Sequence, residues 1–145
     1  MNRYEDLKDI FYQTIEEKCH GIYKQRAYFH SIQVCALCQL YAKKRNLNSE
    51  LASIIGLFHD YAQMINHSSF QHGIRSAQML KKYLIDFNDE EIEIITNAIS
   101  KHSDKNKKDD SYSELIKDMD LYAKYLEEPS YVFKDYEKQR LDALE

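Results

Sequence analysis

Ile54-Ile55-Gly56-Leu57-Phe58-His59-Asp60-Tyr61-Ala62 decides how the chain is read. The stretch is apolar enough to be the buried face of a helix, yet it sets a histidine and a carboxylate side by side within that face. Burying an ionised carboxylate without a partner costs several kcal/mol. A metal ion is one such partner, because imidazole and carboxylate both bind first-row divalent ions well. The alternative is an ordinary helix in which Asp60 reaches water and His59 packs. The dipeptide leaves both readings open.

Working outward, the 145 residues are long enough to bury a core, and 43% hydrophobic with 30% charged residues is ordinary for a globular protein. Three glycines and one proline decide the class. A sheet protein needs turn residues about every 8–12 positions, and this chain cannot supply them. An all-α fold follows, expected as a single domain over residues 1–145. The net charge of −4 gives no electrostatic basis for a nucleic-acid partner or an anionic membrane. No apolar run approaches the ~18 residues of a membrane span. Met1-Asn2-Arg3-Tyr4-Glu5-Asp6 lacks the apolar core of a secretion signal, and Cys19, Cys35 and Cys38 do not make a disulfide framework. The expected location is cytoplasmic.

Apolar periodicity predicts a compact bundle of six to seven helices. The first runs from about Arg3 to Lys18, with Gly21 as a stop, and the second from Ala27 to about Arg45. The third runs from about Ser49 to Ile65 straight through the His-Asp pair, and the fourth from about Gln71 to Leu84 with Ile74, Ala77, Leu80 and Leu84 inward. Asn88-Asp89-Glu90-Glu91 reads as a capping box opening a fifth helix that ends at His102. Ser111-Tyr112-Ser113-Glu114 reads as a second one, opening a sixth helix to about Leu126, which Pro129 breaks. Val132, Phe133, Tyr136, Leu141 and Leu144 suggest a seventh helix packed on the rest.

Several polar residues fall on the core faces of these helices. His30 precedes Val34 and Leu37 by helical spacings, and His102 follows Ala98 and Ile99 in the same way. His72 sits in a first turn, and Asp120 lies between Ile116 and Ala123 on an apolar stripe, whereas Asp118 points away from that stripe toward solvent. Each histidine alone is more often a satisfied core or surface residue than a ligand. Together with His59 and Asp60 they form an ordered set drawn from five helices. His20 and His67 fall outside the set and read as surface residues, and Cys35-Ala36-Leu37-Cys38 reads as small core packing.

The order His30, His59-Asp60, His72, His102, Asp120 resembles the HD superfamily of metal-dependent phosphohydrolases. The resemblance covers about residues 26–128. It is carried by Arg26-Ala27-Tyr28-Phe29-His30-Ser31, Gly56-Leu57-Phe58-His59-Asp60, His72-Gly73-Ile74-Arg75-Ser76-Ala77, Ala98-Ile99-Ser100-Lys101-His102-Ser103 and Lys117-Asp118-Met119-Asp120. It implies one divalent metal on His30, His59, Asp60 and Asp120, with His59 and Asp60 at the catalytic centre. It also implies a second metal on His72 and His102, bridged by Asp60. Fe, Mn, Co, Ni, Mg and Zn are not distinguished. A pair of metals about 3.5–4 Å apart can activate a water and stabilise the departing oxygen of a phosphoester. The implied substrate is a small phosphorylated molecule, a nucleotide first of all, and a homo-oligomer is left open.

This chain departs from the superfamily where many members carry a lysine, three residues after the aspartate of the pair. Gln63 stands there. Arg26, Arg75, Lys101 and Lys105 are cations that can substitute in phosphate recognition, and each reads at least as readily as a solvated surface charge. The subfamily that hydrolyses diadenosine tetraphosphate symmetrically shares the six-residue order, but Ala27 separates the arginine and tyrosine that are adjacent there. Two other readings use the same residues: a di-iron oxygenase of the HD type, and a non-catalytic binding module stapled by metal.

Overall fold

The all-α expectation holds: the described residues contain helices and turns and no strand. A computed structural model describes residues 2–144. Met1 and Glu145, the two ends of the expected unit, lie outside the described residues. The helices are α1 (Asn2–Lys18), α2 (Gly21–Lys44), α3 (Ser49–Phe58), α4 (Tyr61–Asn66), α5 (His72–Lys81), α6 (Asp89–Lys101), α7 (Ser111–Glu127) and α8 (Asp135–Asp142).

The expected third helix is two helices. α3 is capped by Asn48, whose side chain accepts from the Leu51 amide at 3.0 Å, and helical geometry continues to His59. Asp60 then leaves the helical region at φ −109 and ψ 17, and α4 begins beyond it. The apolar pattern cannot reveal this break, because Tyr61, Ala62 and Met64 remain buried on the far side of it. Its consequence is functional. Neighbours on a continuous helix diverge by about 100°, whereas the break lets His59 and Asp60 face the same point.

Two glycines set how closely the helices around that point approach. A Cβ on Gly56 would lie 2.9 Å from Cys35 Cα and 3.0 Å from the Val34 carbonyl, so α2 and α3 cross in backbone contact. A Cβ on Gly73 would lie 2.9 Å from the Ile99 and Ser100 carbonyls, which seats α5 against the end of α6. Gly56→Ala is expected to cost about 2–3 kcal/mol, because the atoms it strikes are backbone and neither helix can yield alone. A thermal melt showing a Tm lowered by roughly 6–10 °C checks this.

Other boundaries shift for local reasons. α2 starts at Gly21, six residues before the expected Ala27, and most of that first stretch is exposed, so it carries no apolar stripe. In α5 the buried face is Gly73, Ser76, Ala77 and Leu80, and Ile74 is 47% exposed. Ser76 replaces it inside because its hydroxyl accepts from the Ala62 amide at 2.9 Å. The capping box at Asn88 and Glu91 forms as expected. At α7 the cap is Asp110 and not Ser111: its carboxylate accepts from the Ser113 amide and hydroxyl at 3.3 and 2.6 Å. In the tail Phe133 is buried, while Val132 lies in the irregular segment before α8 and is exposed.

The core is continuous from α1 to α7, with Phe11, Phe58 and Tyr61 stacked edge to face or tilted at its centre. Cys35 and Cys38 are free thiols packed within it. Among the described residues no helix is long and apolar enough to cross a membrane.

Candidate metal centre

The bundle brings all six singled-out residues to one place. His30 comes from α2, His59 and Asp60 from the α3–α4 break, His72 from the start of α5, His102 from the end of α6 and Asp120 from α7. His59 and His102 are fully buried, and the other four keep part of their surface in solvent, so the cluster has one open edge.

Two groups of donor atoms share Asp60. In the first, His30 Nε2 and His59 Nε2 are 3.2 Å apart. Asp120 Oδ1 lies 3.2 and 3.3 Å from them, and Asp60 Oδ2 lies 3.4 and 3.2 Å from them. In the second, Asp60 Oδ1 is 3.1 Å from both His72 Nε2 and His102 Nε2, which are themselves 3.1 Å apart. Asp60 thus presents one oxygen to each group.

Which ring nitrogen carries the proton follows from the partners. His59 Nδ1 donates to the Gly56 carbonyl at 2.7 Å, His102 Nδ1 to the Ile99 carbonyl at 2.7 Å and His72 Nδ1 to the Ser69 carbonyl at 3.0 Å. His30 Nδ1 donates to Glu127 Oε2 at 2.9 Å. Carbonyl and carboxylate oxygens only accept, so each Nδ1 holds a hydrogen and each neutral ring turns an Nε2 lone pair inward. Lone pairs about 3 Å apart among carboxylates repel unless a cation or extra protons lie between them.

The titration behaviour expresses the same demand for positive charge. Burial opposes charging His30, but hydrogen bonds to Asp120, Asp60 and Glu127 outweigh it and push the ring up to about 12. Burial likewise opposes charge on His59, and the Asp60 and Asp120 carboxylates raise it to about 9. His72 is raised by its hydrogen bond to Asp60, whereas burial keeps His102 below the usual range. Burial works against both carboxylates. His59 and the hydrogen-bonding histidines still hold Asp60 well below the usual range, and Lys105 with His59 does the same for Asp120.

A divalent ion satisfies this donor set. Bonds of about 2.0–2.2 Å from one ion place neighbouring donors about 3.0–3.5 Å apart, the range found in both groups. Two imidazoles and two carboxylates suit first-row transition ions better than calcium, which prefers an all-oxygen shell. The Nδ1 contacts fix ring orientation as the outer contacts of metal ligands do.

Gln63 and the four cations offered for phosphate recognition divide. Arg26 and Gln63 line a hollow of about 220 Å³ that opens beside His30 and Asp60, together with Tyr23, Ala27 and Met64. Lys105 reaches the centre itself, its Nζ 2.6 Å from Asp120 Oδ2. Arg75 and Lys101 do not line the hollow, and Lys101 pairs with Asp109 at 3.7 Å. His20 and His67 are exposed, as expected. Asp118 is not solvated: it is buried and accepts from Arg45 at 2.8 Å and Arg140 at 3.0 Å. Arg45 and Arg140 lie far from it in sequence, which is why the stripe on α7 gave no sign of them. Glu127 was missed, although it lies seven residues after Asp120, two turns on along the same helix face.

A family model described as HD domain matches residues 27–125. Ribonuclease Y from Geotalea uraniireducens (strain Rf4) is 34% identical over 62 residues, 42% of this chain and 12% of that protein. Ribonuclease Y from Lawsonia intracellularis (strain PHE/MN1-00) is 30% identical over 100 residues, 68% of this chain and 18% of that protein. The chain therefore spans only a small part of the curated relatives it matches. No solved structure gives a significant match.

Proposed function

The chain belongs to the HD domain family, and on that footing we propose that it hydrolyses a phosphoester or phosphoanhydride of a small molecule, a nucleotide first of all. The observation that carries the reading is the set of four imidazoles whose Nδ1 atoms are tied down and whose Nε2 atoms converge on Asp60. His30, His59, Asp60 and Asp120 would hold one divalent ion, and Asp60, His72 and His102 a second. Bound there, the metal supplies Lewis acidity, lowering the pKa of water from ~16 toward ~7 and drawing charge from phosphoryl oxygens.

The chain's own residues do the rest. Glu127 and the three backbone carbonyls lock the rings, so that the donors need no reorganisation when substrate arrives. Arg26 and Gln63 supply a guanidinium and a neutral amide to the hollow beside Asp60, and a phosphoryl group seated there meets donors from both. At about 220 Å³ the hollow admits a phosphoryl group with a sugar-sized remainder, and anything longer extends over the surface. No cysteine serves as nucleophile: Cys19, Cys35 and Cys38 are all buried, and burial pushes all three thiols up.

A phosphatase screen with Mn, Fe, Co, Ni, Mg and Zn, over nucleotides and dinucleoside polyphosphates, tests this. Hydrolysis that depends on the metal is the expected result, and none with any metal overturns it. A second reading, cleavage of a phosphodiester in a short ribonucleotide chain, draws on the similarity to Ribonuclease Y. Shortening of an end-labelled oligoribonucleotide faster than release of phosphate from any nucleotide would favour it. Iron-dependent oxygen uptake without phosphate release would point instead to the oxygenase chemistry.

A further inference from the structure

α8 lies beyond the family match, which ends at residue 125. Its Arg140 nevertheless inserts into the segment that joins His102 to α7. The guanidinium donates to the Lys105 carbonyl at 2.8 Å and the Lys107 carbonyl at 2.9 Å. It also donates to Glu114 and Asp118 on α7, each at 3.0 Å. Lys117, fully buried, donates to the same Lys107 carbonyl at 2.8 Å. Residues 103–110 contain no helix, so these two cations satisfy carbonyls that no regular ladder serves.

Lys105 is the residue this grip places. Its Nζ holds Asp120 Oδ2 at 2.6 Å, while Asp120 Oδ1 faces His30 Nε2 and His59 Nε2 at 3.2 and 3.3 Å. The two oxygens of one carboxylate are thereby divided: the outer one is fixed by the lysine and the inner one is left to the metal. We propose that Arg140 is a positioning residue for the metal centre. By gripping the Lys105 backbone it sets the lysine, the lysine sets the rotation of Asp120, and α8 thus raises the metal affinity of a site it does not touch. Arg140 would need only Glu114 and Asp118 if it merely fastened α8 to α7. Its two bonds to carbonyls of the intervening segment hold that segment to α8 as well, and Lys105 carries the segment's position to Asp120. The inference rests on the reading of Asp120 as a metal ligand.

The test measures Mn²⁺ and Zn²⁺ dissociation constants and Tm on the full chain and on K105Q, R140Q, R140K, the K105Q/R140Q double variant and R45Q. Loss of such an outer contact weakens metal binding about tenfold or more. K105Q and R140Q are each expected to do so, and the double variant is expected to be no weaker than the weaker single one. R140K keeps a charge against Glu114 and Asp118 but loses the two-carbonyl fork, so it stays folded and still binds metal several-fold more weakly. R45Q removes another partner of Asp118 and leaves metal affinity unchanged. Wild-type affinity in folded R140K, or fully additive losses in the double variant, overturns the positioning role alone. A wild-type chain that binds neither ion overturns the metal reading, and the positioning role with it.

Discussion

Asp60→Asn is expected to abolish metal uptake at both donor groups and to lower hydrolysis about a thousandfold or more. Asp60 is the one residue with an atom in each group: Oδ2 beside His30 and His59, Oδ1 beside His72 and His102. Asparagine keeps the side-chain shape, so the turn between α3 and α4 persists. It removes the negative charge, however, and turns an amide NH₂ toward one of the groups. A change at Asp120 touches the first group only, which makes the pair of variants informative. Elemental analysis should find metal in the wild type and substantially less than one ion per chain in Asp60→Asn. Stability offers an independent readout, because an ion at a hundredfold excess over its dissociation constant stabilises the fold by about 2.7 kcal/mol. That metal-dependent rise in Tm should vanish in the variant. Wild-type metal content in Asp60→Asn, or hydrolysis within tenfold of wild type, would remove Asp60 from the bridging position.

The same residue marks the limit of what the sequence could show. Scarcity of glycine and proline was enough to exclude a sheet, because turns need residues the chain does not have. Five of the six polar residues could be picked out because each interrupts an apolar face, and His72 because it opens a helix end-on to the others. What the pattern hid was everything that depends on two distant segments meeting. The break after His59 is invisible because both sides of it are buried, so periodicity runs on undisturbed through Tyr61 and Ala62. Asp118 looked solvated because Arg45 and Arg140, which bury with it, come from other helices. Asp110 took the cap expected of Ser111 because its carboxylate binds the Ser113 amide and hydroxyl together. Lys105 could be named as a cation near phosphate, but its contact with Asp120 depends on the fold of an irregular segment that has no periodicity to read.

That segment also carries the second large effect, which concerns stability. Asp109→Asn is expected to destabilise the protein by about 2–3 kcal/mol, because it takes the nearest counter-ion from a fully buried lysine while Asp109 itself is only partly buried. The Lys117 side chain has no solvent exposure, and its ammonium is satisfied by the Asp109 carboxylate and the Lys107 carbonyl, with Glu114 farther off at 3.6 Å. With asparagine at 109 the hydrogen bond can persist, but the charge on Lys117 loses its nearest counter-ion in a place that water does not reach. The pH dependence has a definite sign. The hydrogen bond from Lys117 holds the Asp109 carboxyl below its usual range, so its contribution is complete above the unfolded carboxyl's pKa near ~4 and fades as pH falls through the lower folded value. Urea melts at a series of pH values should therefore show wild type and Asp109→Asn separated near neutrality and converging in acid. Lys117→Met in the Asp109→Asn background should recover part of the loss, because a thioether of similar length needs no counter-ion. A separation that stays constant down to the lowest pH at which the fold survives would mean that the pair contributes through packing alone, and the charge argument would fail.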